Sequence, residues 1–214
     1  MSSRGLNSIY LQARQIKPAD EKAFCNYAAN WYKLLHIHHT GEEATLFPEI
    51  EHITGEKGLM DANVEQHHAF HDGLEAFIAY INDCIAGKQK YDGEHVIQMI
   101  DGFGKTLVQH LTDEIPTLQD LRKHSDKLQN ISQLMQAEAE TNMKKLGMAT
   151  GMAWAWGHMD VDYEDGIWKD FPPAPWLIKF IIKNIAWWVH SDWWRFSAAD
   201  RHGRLRPLPF AVEE

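Results

Sequence analysis

Three pairs of side chains in this 214-residue chain are spaced for shared chemistry. His39 and Glu43 lie four residues apart in HHTGEEATLFPEIE, His67 and His71 in EQHHAFH, and His110 and Glu114 in HLTDEIPTL. On a helix such pairs project from one face, about 6 Å apart along the axis. Three helices that each aim two donors at a common centre can build a polynuclear carboxylate–imidazole site, the logic of di-iron bundles. Imidazole with carboxylate suits iron, manganese or zinc better than magnesium or calcium. In this arrangement His39/Glu43 and His110/Glu114 each give a terminal nitrogen and a bridging carboxylate. His67 and His71 give two terminal nitrogens to one metal.

Any one pair alone is ordinary. A His-x-x-x-Glu on a helix is usually a solvated contact worth about 0.2–0.5 kcal/mol. Three pairs on three consecutive helices are harder to dismiss, because each shares a face with core-type residues. His39 and Glu43 lie with His36 and Phe47, His67 and His71 with Leu74 and Ile78, and His110 and Glu114 with Leu107 and Leu111. An unpaired carboxylate on such a face is costly, and a metal is the natural counter-charge. His38, His68, Glu42 and Asp113 sit about 100° round the helix from a ligand position or three residues from one. They are expected beside the ligands or at the surface. His52, His95, His124, His158, His190 and His202 have no helical partner of ligand type, and surface or capping roles are expected for them.

The elements that must position these pairs read as helices, with Gly and Pro gathered between the periodic stretches. The spacing predicts a short helix over 4–15, ending before Pro18. A second starts at a cap on Asp20 and runs past His39, with Pro48 near its far end. A third starts at a cap on Asp61 and runs to a stop at Gly87. A fourth follows Gly93, with Pro116 near its end, and a fifth runs from a cap on Ser125 to about Leu146. Long amphipathic helices with short connections predict an all-α, up-down antiparallel bundle of four helices with one additional helix over residues 1–150. After Gly151 the composition changes: eight of the nine Trp follow it. Only 176–190 is clearly periodic there, so 151–214 is expected to be a partly irregular, aromatic-rich extension wrapped onto the bundle. Its Trp residues either cover apolar bundle faces, wall a substrate pocket, or make 176–194 an interfacial membrane helix. Cover is the expectation, because two Lys in a net acidic chain are thin support for membrane binding.

Composition bounds the rest. With 30 acidic and 21 basic residues the chain carries a formal charge of −9, which argues against a general nucleic-acid binder. Cys25 and Cys84 show no zinc-type spacing and read as small buried residues. Two isolated cysteines, no apolar leader and no long uncharged apolar stretch make a cytoplasmic protein without a membrane span the default.

HHTGEEATLFPEIE, EQHHAFHDGLEAF and HLTDEIPTLQDL resemble the hemerythrin-like, HHE cation-binding family. RGLNSIYLQA and the stretch from WRFSAADRHGRLRPLPF resemble its fungal branch with a Trp-rich C-terminal extension. The resemblance runs over essentially the whole chain. It implies an up-down four-helix bundle with a non-haem di-iron centre that can meet dioxygen. By motif position His39, Glu43, His67, His71, His110 and Glu114 inherit the ligand roles, with Glu43 and Glu114 as the bridges. One departure stands out. The family supplies another His from the first helix, and SRGLNSIYLQARQ has none. The start is truncated or misplaced, or His36 substitutes from the second helix, or one metal position has a protein ligand fewer. Tyr10 is a remote oxygen donor, better explained as a core residue. The expected subsite of His67, His71 and His110 is therefore the firmer one.

Two active readings follow, and a third is a metal-free helical scaffold whose site has decayed. In the first, the protein binds dioxygen, nitric oxide or iron at the cluster. In the second, it is an iron-dependent oxidoreductase or oxygenase acting on a small organic molecule, with the Trp-rich extension forming the pocket.

Overall fold

The computed structural model describes residues 1–124, 131–170 and 174–211. The expected cap on Ser125 lies outside them. The described chain is helical, with a single isolated bridge between Ala199 and Leu205 and no strand. Helices α1 (Ser2–Gln12), α2 (Glu21–Gly41), α4 (Asp61–Ile85) and α5 (Gly93–Asp120) form the bundle. The short α3 (Phe47–Thr54) continues α2 after a π-type turn over Glu42–Leu46. Helix α6 (Ile131–Leu146) packs outside α2.

Neighbouring bundle helices run antiparallel, and their contacts fix the levels. Trp31 Nε1 donates to the Ser2 carbonyl, and Leu6 of α1 lies against Gly104 of α5. Gly73 of α4 packs on Phe103 of α5. Asp92 caps α5, its carboxylate accepting from the Glu94 and His95 amides at 2.9 and 3.2 Å. Helix α3 ends on Gly55 at φ 74°, a left-handed position that suits glycine. Mid-bundle, Trp31, Phe77 and Phe103 form an aromatic layer with centroids 5.8 to 6.2 Å apart.

The tail joins the same core. After a π-type turn over Gly147–Met152 come α7 (Ala153–Trp156), α8 (Trp176–Ile181), a second π-type turn (Ile182–Ala186), α9 (Trp187–Val189) and α10 (Ser191–Trp194). Trp154, Trp156, Trp187, Trp194 and Phe196 are buried with residues of α1, α2, α4 and α5. The Phe196 carbonyl accepts from Ser8 and Gln12 of α1, and Arg195 pairs with Asp20. Trp168, Trp176 and Trp188 are exposed instead, so aromatic cover accounts for only part of the Trp excess.

His158 is not a surface or capping residue. It is fully buried and stacked on Trp154, with centroids 3.8 Å apart. Its Nδ1–H donates to the Trp154 carbonyl at 2.8 Å, and its Nε2 accepts from the Tyr27 hydroxyl at 2.6 Å. Both ring nitrogens are thus satisfied in the neutral form, and burial pushes its pKa down to about 3.

Stability should therefore fall as pH drops from about 6.5 toward 3. In that window the unfolded chain binds a proton on this ring and the folded chain does not. The slope for one such group reaches about 1.4 kcal/mol per pH unit. His158→Gln should flatten the slope in denaturant titrations across that range; an unchanged slope would mean that the ring titrates normally in place. Gly5→Ala should destabilise by about 1–3 kcal/mol, because a Cβ there meets the buried Trp154 ring at 2.3 Å. Urea unfolding measures that loss.

Candidate metal centre

The bundle closes on three imidazoles, one each from α2, α4 and α5. His39, His67 and His110 are all buried, with ring centroids 4.3 Å (His39–His67), 4.5 Å (His67–His110) and 5.2 Å (His39–His110) apart. Phe70 packs against all three rings, and Phe47 against His67. This apolar setting keeps water from the rings.

The partners of the outer nitrogens fix the tautomers. His67 Nδ1 stands 2.6 Å from Glu43 Oε1, an acceptor, so Nδ1 carries the proton. His110 Nδ1 donates to Gln66 Oε1 at 3.1 Å. The Gln66 amide nitrogen in turn donates to Asp113, which sets the amide's orientation. Both Nε2 atoms are then bare lone pairs, and they face each other at 3.1 Å. His39 Nε2 is also buried, with no hydrogen-bond partner. Burial lowers the pKa of His39 to about 2 and also lowers that of His110, the neighbouring imidazoles adding to the effect. Burial also lowers that of His67, against the pull of Glu43. The rings are held neutral, the form in which imidazole binds a metal.

Carboxylates complete the group. Donor atoms of His39, Glu42, His67 and His110 all lie within 4.8 Å of one another, and so do donor atoms of His38, Glu42 and Glu114. Glu42 belongs to both sets. Burial pushes its pKa well up, with the facing Glu114 carboxyl next in effect and the charges of Glu138 and Glu43 behind it. Glu42 Oε2 and Glu114 Oε1 are buried without a hydrogen bond. Three neutral nitrogen donors and two buried carboxyls with spare lone pairs fit a transition-metal cation.

Of the six residues expected from spacing, the structure brings His39, His67 and His110 into one group, and Glu114 into the adjoining group that shares Glu42. Glu43 is set outward and orients His67 from behind, while its neighbour Glu42 turns in. The π-type turn begins at this point. Pro48 offers no amide hydrogen and its ring crowds the carbonyl four residues back, so the helix widens before it and the face presented changes. His71 is exposed and bonded to Asp72 at 3.1 Å. The packed face of α4 runs His67, Phe70, Leu74, Phe77, Ile81, alternating steps of three and four, and this leaves His71 on the shoulder.

No residue of α1 joins the cluster. Its first turn is level with Trp31, eight residues (about 12 Å) below His39. Tyr10 lies further away, near Asp101, and His36 stacks on Tyr32 at the surface. Helix α6 covers Gly41 instead, with Glu138 and Asn142 against its Cα. Spacing reasoning missed Glu42 and His38. The pair His38/Glu42 has the same four-residue spacing as His39/Glu43, and Pro48 was the signal that the register changes.

The sequence profile of the hemerythrin HHE cation binding domain matches residues 6–122. The chain is 34% identical over 214 residues to the "Dimeric xanthone biosynthesis cluster protein R11" of Cryptosporiopsis sp. (strain 8999), spanning 99% of this chain and 79% of that protein. No solved structure matches significantly.

A ligand scan separates the inner from the outer residues. His67→Ala, His110→Ala and Glu42→Ala should each abolish retention of metal through dialysis. Glu43→Ala should weaken it about 10–100-fold, as loss of a ring-orienting partner does. His71→Ala should leave metal content unchanged; a loss there equal to that of His67→Ala would contradict the geometry.

Proposed function

The chain belongs to the hemerythrin HHE cation-binding family, and on that premise we propose that it is a non-haem iron protein that binds dioxygen or nitric oxide at the buried cluster. One observation carries the reading: the His67 and His110 Nε2 lone pairs face each other at 3.1 Å beside the unpartnered Nε2 of His39. The donor set offers two overlapping positions that share a carboxylate, the pattern of a dinuclear site. His39, His67, His110 and Glu42 would hold the first ion, and His38, Glu42 and Glu114 the second. Glu43 and His71, the spacing-based candidates, serve here as ring-orienting and solvent-facing groups. Iron bound in such a site supplies redox chemistry and an open coordination position for a diatomic ligand. The protein's part is to keep the imidazoles neutral and aimed inward through Glu43 and Gln66. Phe70 and Phe47 exclude water.

A second reading, an oxidoreductase acting on a small organic molecule, draws support from the name of the Cryptosporiopsis relative, which places that protein in a biosynthesis cluster. The packing favours the first. The aromatic tail buries Trp154 against Tyr27, twelve residues (about 18 Å) along α2 from His39. A pocket of about 400 Å³ lined by Arg4, Asp160, Tyr163 and Trp168, among others, includes no cluster residue.

Anaerobic loading with Fe(II) tests the proposal. About two irons per chain are expected, with an absorption change on exposure to O2 or NO that is lost in His110→Ala. Removing the metal should lower the melting temperature by mass action. Less than one iron per chain, or no spectral response, would overturn the reading; turnover of an organic substrate would replace it with the second.

A further inference from the structure

The run α8–α9 buries one side and leaves the other bare. Ile182, Ala186 and Trp187 face the core. On the opposite side Trp176, Leu177, Phe180, Ile185, Trp188 and Val189 are each at least half exposed, Trp176 to 76%. Their spacing of 176, 177, 180, 185, 188 and 189, with the π-type turn absorbing one residue, aligns them in one stripe about 20 Å long. The stripe's polar member is Asn184. Exposed apolar patches of this kind mark interaction surfaces.

Charge says what kind of surface covers it. The chain totals −9, yet 174–190 hold Lys179 and Lys183 and no carboxylate. Arg201 lines the stripe, its guanidinium 5.9 Å from the Trp188 ring and bonded to Asn184 at 3.1 Å. Lys179 of α8 donates to the Asp170 carbonyl, and Lys183 lies 4.6 Å over Trp156. Two copies meeting through this face would bring Lys179, Lys183 and Arg201 of each together, since a two-fold contact repeats one patch on both sides and 174–190 carry no acid. An anionic lipid surface answers both features. Trp and Phe suit the headgroup–acyl boundary, and flanking cations suit acidic headgroups. No helix among the described residues is long and apolar enough to cross a membrane, so the helix would lie on the surface.

We propose that the α8–α9 stripe is a peripheral docking face for anionic membrane surfaces, independent of the metal centre.

Co-sedimentation of the full-length protein with vesicles tests this. Vesicles of phosphatidylcholine mixed with phosphatidylserine should carry the protein down. Phosphatidylcholine alone should do so about tenfold less well, and raised salt should weaken binding. The triple variant Trp176→Ser, Phe180→Ser, Trp188→Ser should lose binding about tenfold or more while keeping its far-UV circular dichroism, since those side chains carry no core packing. Absence of binding to either vesicle overturns the proposal. Equal, salt-insensitive binding to both overturns the anionic assignment. A wild-type dimer that the triple variant makes monomeric, with no vesicle binding, assigns the face to a second copy instead.

Discussion

The structure depends on a conflict that protein atoms do not resolve. Glu43 and Gln66 take the protons of His67 and His110 on the outer side, which forces two bare nitrogens to face each other at 3.1 Å. His39 adds a third inside the same closed space. Unmet lone pairs away from water are destabilising, and native proteins rarely keep them without a use. A cation turns each of these losses into a bond. The aromatic walls, the orienting hydrogen bonds and the shared carboxylate follow from that requirement.

Much of the fold was legible because helices announce themselves locally. The apolar periodicity of α2, α4 and α5 and the glycine stops sit in the sequence where the structure uses them, whereas Asp20 makes no side-chain cap bond and Asp61 is the first residue of α4 rather than its cap. That His39, His67 and His110 face one another was legible for the same reason: ideal helical geometry holds up to them. Glu42 was not, because choosing between neighbouring glutamates needs the register to within about 100°, and a single π-type turn before Pro48 alters it. His71 was misleading because a four-residue step from His67 is on the packed face only if the face does not drift. Alternating steps of three and four carry it to Phe70 and Leu74 instead.

The tail illustrates a different limit. Composition located the tryptophans but could not sort them, since burial of an aromatic in an irregular segment is decided by distant partners. Tyr27, Gly5 and Ser8 decide it here, placing Trp154, His158 and Phe196 inside while Trp176 and Trp188 remain outside. His158, unremarkable in sequence, becomes a buried neutral acceptor for the Tyr27 hydroxyl.

The bundle thus separates two tasks along its axis. One end, around Tyr27 and Trp154, is closed by the tail. The other, around His39 and Glu42, is closed by α6 and the widened turn. X-ray absorption spectroscopy on the iron-loaded protein tests the central claim most directly. A first shell of mixed nitrogen and oxygen with the outer-shell scattering of imidazole, diminished in His67→Ala, is the result predicted. An all-oxygen shell without imidazole scattering, unchanged in that variant, would contradict it.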